Sequence, residues 1–155
     1  LRQEKELAIR STREQAVLDQ LRERHPLDLP KGVVEAETRE LLGEYARNLA
    51  RQGIDVDKVE LDWDKMAEEA RPRAEGRVHS RLLLDAVASS LEIEVERSAI
   101  DERVSFLARA QGKSVGVVRR EMTPAQLEGL SQQLKREKAL GSLLETPTPE
   151  TEGED

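Results

Sequence analysis

A chain of 155 residues with a net charge of −7 has room for one ordinary domain or for a helical hub with projections, and length alone does not choose between them. Charged and apolar residues each make up 37%, and Trp63, Tyr45 and Phe106 are the only aromatics, so the core must be built from Leu, Val, Ile and Ala in thin, two-sided helical packing. The acidic balance argues against a phosphate-binding nucleic-acid surface; zero cysteines exclude disulfides and thiolate metal sites and fit a reducing compartment; no apolar run reaches the roughly 20 residues that cross a bilayer.

The charges are interleaved with periodic apolar residues, the pattern of solvated helix faces, so the body reads as folded. Nothing at the N-terminus reads as a signal peptide, and a start at Leu1 rather than Met suggests a piece of a longer protein. From Leu1 to His25 the residues are good helix formers, with Leu7, Val17, Leu18 and Leu21 at helical spacing, and Pro26 stops them. The segment 27–32, inside HPLDLPKG, is an extended connector. A second helix is expected over 33–52, with Val34, Leu41, Leu42, Tyr45 and Leu49 on one face and Gly53 as a left-handed stop.

Residues 54–62 form a loop ending on Asp62, a cap for a helix from Trp63 to about Ser89, in which Pro72 predicts a kink or break near Arg71. Beyond it, Val78, Leu82, Leu83, Leu84, Ala86, Val87 and Ala88 are apolar on nearly every side, which predicts the centre of the fold. An extended link with Leu91, Ile93 and Val95 leads to a fourth helix carrying Ile100, Val104, Leu107 and Ala108, closed by Gln111 and Gly112. Ser114 caps a weaker helical stretch. Thr123, Pro124 and Gln126 supply the cap, first-turn proline and capping-box partner of a last helix whose apolar side runs through Leu127, Leu130, Leu134, Leu140, Leu143 and Leu144. The acidic, proline-broken residues 146–155 are expected to be disordered.

Few residues suggest chemistry. Asp55, Asp57, Glu60, Asp62 and Asp64 resemble a calcium run, but an EF-hand needs an oxygen ligand at Val59, glycine at Glu60 and a spaced closing Glu, so a solvated loop with a helix cap is the better reading. His25 and His79 have no acid or nucleophile at motif spacing. With no phosphate loop, nucleophile elbow or zinc motif either, no catalytic residue, metal or other cofactor is expected. Trp63 beside the Asp62 cap reads as a pin for the helix start.

Three segments in order resemble the C-terminal domain of the trigger factor family, bacterial ribosome-associated chaperones: HPLDLPKGVVEAETRELL, ARPRAEGRVHSRLLLDAVASSLEIEV and LKREKALGSLLE. They span most of residues 21–145. The resemblance implies an all-α fold, an elongated body (residues 1–145) with two helical arms over about 31–80 and about 96–138, forming a cradle for nascent or unfolded polypeptides. It also implies a cytoplasmic protein that acts without ATP. Its ribosome contact and its prolyl isomerase activity would belong to other domains, which have no counterpart in these residues. No nucleic acid or membrane partner is implied, and self-association through an exposed groove is conceivable. The chain departs from the family at Glu96 and Arg97, which moves the expected cap to Ser98, and at Val115 and Gly116. Residues off the best stripes are the candidate client contacts: Val59, Leu61, Ile93, Phe106, Val115, Val117, Val118 and Met122. The alternatives are the core of a SurA-like periplasmic chaperone and a helical scaffold or dimerisation module for one folded partner.

Overall fold

The computed structural model describes residues 2–56 and 58–145. Six helices form, α1 (Arg2–Arg24), α2 (Lys31–Arg51), α3 (Trp63–Ser90), α4 (Arg97–Gln111), α5 (Val115–Glu121) and α6 (Pro124–Glu145), with no strand among the described residues. The chain is all-α, as its periodicity predicts. The tail 146–155 lies outside the described residues. Two compact units are present: Leu18–Leu83, and Leu1–Val17 together with Leu84–Asp155.

Within the 18–83 unit, Val34 and Leu41 of α2 bury against Ala74 and Val78 of α3, with Leu29 and Ala70 packed alongside. Valine and leucine on one helix meet alanine on the other, so the backbones can approach; the fully buried Val78 is worth about 1.5–3 kcal/mol in transfer free energy. Above this core Glu37, whose side chain is 10% exposed, accepts from Arg77 at 3.4 Å and is also paired with Arg81. A carboxylate this enclosed is tolerable because two guanidinium groups face it.

In the other unit Val104 and Ala108 of α4, Val118 of α5 and Leu130 of α6 make the core, with Ile100 and Met122 against it. Arg103 of α4 grips Glu137 of α6 at 3.1 and 2.6 Å, and Arg136 of α6 grips Asp85 of α3 at 2.6 and 3.2 Å. No buried side-chain nitrogen or oxygen lacks a partner among the described residues.

The helix ends follow capping chemistry. Thr123 and Gln126 form the reciprocal capping box, Thr123 N–H donating to Oε1 of Gln126 at 2.8 Å and Gln126 N–H to Oγ1 of Thr123 at 3.2 Å. Asp62 Oδ1 accepts from Lys65 N–H at 3.0 Å, and Ser114 accepts from Val117 N–H. Helices α2, α3 and α4 share one terminating pattern, a residue in the left-handed region followed by an amide that reaches back to a carbonyl five residues earlier: Ile54 to Leu49, Ile93 to Ala88 and Lys113 to Ala108. The left-handed residue is Gly53 (φ 80°), Glu92 (φ 49°) and Gly112 (φ 64°). Only Glu92 carries a side chain there.

Three expectations are corrected. Of the kink or break expected near Arg71, the break is absent, and helix α3 continues through Pro72: Glu68, whose carbonyl loses its amide donor, is exposed to water, and Ala70, Ala74 and Val78 pack along one side across the proline. The cap of α4 does not slide to Ser98. It is Glu96, without a side-chain cap bond, its carbonyl accepting from Ala99 and Ile100 while the Ser98 hydroxyl turns back to the Glu96 carboxylate at 3.3 Å. The apolar stretch 78–88 is not enclosed all round, since Leu82 is 38% exposed and Ala86 is exposed.

Candidate functional site

Leu41, Leu42 and Tyr45 of α2 and Met66 and Ala70 of α3 line a groove of about 550 Å³ in the 18–83 unit. The α2 stripe opens along its length here: Leu41 is buried, Leu42 half-buried and Tyr45, one turn beyond Leu41, 44% exposed. Its rim is charged. Arg51 and Arg73 stand beside Glu69 and beside Glu44, which is committed to Arg77. Bonding to that guanidinium holds the Glu44 carboxyl below the ordinary glutamate range and pushes the Arg77 pKa up.

In the other unit a trough of about 600 Å³ has Phe106 on its wall, with Ala99 and Leu134 below and Glu102, Arg103 and Arg109 at its edges. Phe106 is 60% exposed because it lies off the α4 row of Ile100, Val104 and Ala108 that faces the core. Arg103 is paired with Glu137, whose hydrogen bonds raise its pKa. A smaller hollow in the same unit is bordered by Ile9 and Arg13 of α1 and Leu144 of α6.

The residues singled out in the sequence fall into different settings. Val59 (44% exposed), Phe106 and Val115 (41%) face solvent, and Leu61, Ile93 and Val117 are half-buried. Met122 is half-buried against the Val104 core. Val118, at 4%, is a member of that core and offers nothing to a ligand. Of these residues only Phe106 lies in one of the grooves. Leu42, Tyr45 and Met66 were passed over; the signal that could have found them is the surplus of large apolar residues on α2 beyond what a single α3 row can cover. Trp63, read as a pin, opens α3 with 38% of its surface exposed.

Chemistry is sparse. Asp62 spends its carboxylate on the α3 cap, Asp55 pairs with Lys58 at 3.0 Å, and Asp57 lies outside the described residues. Nε2 of His79 meets the carbonyl oxygen of His25 at 2.6 Å, a helix-end contact. Among the described residues no group of three or more His, Cys, Asp or Glu is placed to hold a metal ion, and no helix is long and apolar enough to cross a membrane. What the arrangement offers is apolar surface framed by charge.

Known proteins resemble the chain over most of its length. The family described as the bacterial trigger factor protein (TF) C-terminus matches residues 1–145. A trigger factor of Thermus thermophilus is 33% identical over 150 residues, and that of Solibacter usitatus 32% over 130, covering 93% and 83% of this chain but 37% and 31% of their own lengths. The chain thus spans about a third of these curated relatives. A solved structure of trigger factor domains from Thermotoga maritima superposes with a TM-score of 0.59 at 20% identity, covering 86% of this chain and 80% of that one, a likeness of fold.

Proposed function

The chain belongs to the family of the bacterial trigger factor C-terminus, and from that premise we propose that it is a chaperone domain that shields exposed apolar segments of nascent or unfolded polypeptides without nucleotide. The observation that supports this reading is a pair of open grooves that mix exposed apolar side chains with charged ones, one around Tyr45 and Met66 and one around Phe106. An unfolded client presents short apolar stretches, and each stretch covered contributes about 25 cal/mol per Å² of apolar area removed from water. Single contacts of this size are weak, but several on one flexible client add through effective concentration while each still releases quickly. The charged rims keep the domain soluble while its client is not.

In this reading Val59, Leu61, Ile93, Val115, Val117 and the exposed edge of Met122 add peripheral contacts, and residues 31–80 and 96–138 serve as the two arms of the cradle. The ribosome contact and prolyl isomerase activity belong to other parts of a longer cytoplasmic protein.

The test is dilution of a chemically denatured client into buffer with rising amounts of the chain and no nucleotide, followed by light scattering. Scattering that falls with dose for several unrelated clients is expected, as is weaker protection by a Tyr45→Asp, Phe106→Asp double variant of unchanged helicity. A helical chain that leaves the scattering of every client unchanged would sink the proposal.

A further inference from the structure

No α1 side chain belongs to the apolar core of the 18–83 unit, which is made by Val34, Leu41, Ala74 and Val78 with Leu29 and Ala70. The last two turns of α1 are fixed to α3 by polar groups instead. Arg22 lies across Gly76, its Nη1 donating to the Gly76 carbonyl at 3.2 Å and to the Ser80 hydroxyl at 3.0 Å, while Nη2 is paired with Asp19 one turn back. A Cβ at Gly76 would stand 3.1 Å from Nη1, so an alanine there would make the guanidinium give by a few tenths of an ångström. Ser80 is buried, at 8%, under this contact. His79 adds its 2.6 Å contact to the His25 carbonyl, just past the end of α1. Leu18 and Leu21 are only half-buried.

We infer that residues 18–24 are a releasable strap on α3, locked by Arg22, which opens while the α2–α3 hairpin stays folded. A hairpin that carries its own apolar core does not need the strap, whereas the strap, without a share in that core, is held by hydrogen bonds of Arg22 and His79 and by the partial burial of Leu18 and Leu21. A short helix segment without tertiary support is marginal in water, so release shows as melting of 18–24. The open state uncovers Leu18, Leu21 and Ser80, a change of surface that does not depend on any client.

Hydrogen exchange on the 155-residue chain tests this with two variants that attack the lock from opposite sides. Arg22→Met keeps the aliphatic stem and removes the donors; Gly76→Ala crowds the guanidinium and strains its bonds to the Gly76 carbonyl and Ser80 while favouring helix in α3. In both, amides of 18–24 are expected to exchange at least about tenfold faster while those of 31–51 and 63–83 keep their rates. Unchanged exchange at 18–24, a rise shared evenly by all of 18–83, or loss of the fold in both variants would each overturn the strap, because each makes α1 an ordinary part of one cooperative unit.

Discussion

Arg77 on α3 holds Glu44 on α2 in a two-pronged pair, Nη1 to Oε1 and Nη2 to Oε2, both at 3.1 Å. Its chemistry sets a pH dependence. The hydrogen bonds from Arg77 favour the ionised carboxylate, so the pKa of Glu44 is lower in the folded chain than in the unfolded one. A depressed folded pKa contributes stability that is fully present above the unfolded glutamate value of about 4.3 and is lost as pH falls through the lower folded value. Urea unfolding of the wild type and Glu44→Gln should therefore differ near neutral pH and converge in acid. The pair is half-exposed, so the neutral-pH difference should be no more than about 1 kcal/mol. A gap that persists or widens in acid would show that the substitution acts through something other than this charge.

Glu92 is the second prediction. It occupies the left-handed position that Gly53 and Gly112 fill at the ends of α2 and α4, and a residue with a Cβ costs roughly 1–2 kcal/mol there. Glycine relieves that strain but loses more chain entropy on folding, so Glu92→Gly should stabilise by about 0.5–1 kcal/mol net. Glu92→Val, which adds branching at the same φ, should destabilise. Thermal unfolding of the two variants settles the order, and a Glu92→Gly melting point below wild type would mean that the side chain makes a contact worth more than the strain.

Phe106 and Val104 sit two residues apart on α4 with opposite exposures, 60% and 0%. Val104→Ala should cost about 2 kcal/mol of stability through lost burial and a residual cavity. Phe106→Ala should change stability by less than about 0.5 kcal/mol, yet weaken protection of an aggregating client. If Phe106→Ala destabilised the chain as Val104→Ala does, the ring would be a packing residue and the trough would lose its claim to bind client.

Much of this was legible in the sequence because it depends on neighbours in the chain. The Thr123–Gln126 box, the Asp62 and Ser114 caps and the stops at Gly53 and Gly112 are local chemistry, and the α4 row of Ile100, Val104 and Ala108 is simple periodicity. Glu92 gave no signal, since nothing about a glutamate announces a positive φ. Pro72 misled in the other direction: the amide it lacks is a local fact, but the packing of α3 against α2 that preserves the helix is a tertiary one. Val118 looked like a spare surface residue because α5 is too short to show a stripe, and its burial depends on α4 and α6 meeting there. The grip of Arg77 and Arg81 on Glu37 arises between residues far apart in the chain, beyond the reach of any window on the sequence.

The arginines on α3 at 73, 77 and 81 are spaced by four, one per helical turn, and this has a consequence for how the hairpin finds its alignment. If α3 slid by one turn along α2 so that Arg73 took the place of Arg77 and Arg77 that of Arg81, Glu37 and Glu44 would each still meet arginine, so the ion pairs are nearly degenerate with respect to that slip, whereas a slip the other way would bring Asp85 to Glu37. The apolar row lifts the degeneracy. Ala74 and Val78 differ in size within the same core, so a slip that puts Ala74 where Val78 packs opens a void, and one that puts Val78 where Ala74 packs drives a larger side chain into a smaller space. The ion pairs alone leave one alternative register open, and the step in volume from Ala74 to Val78 decides where along each other the two helices come to rest.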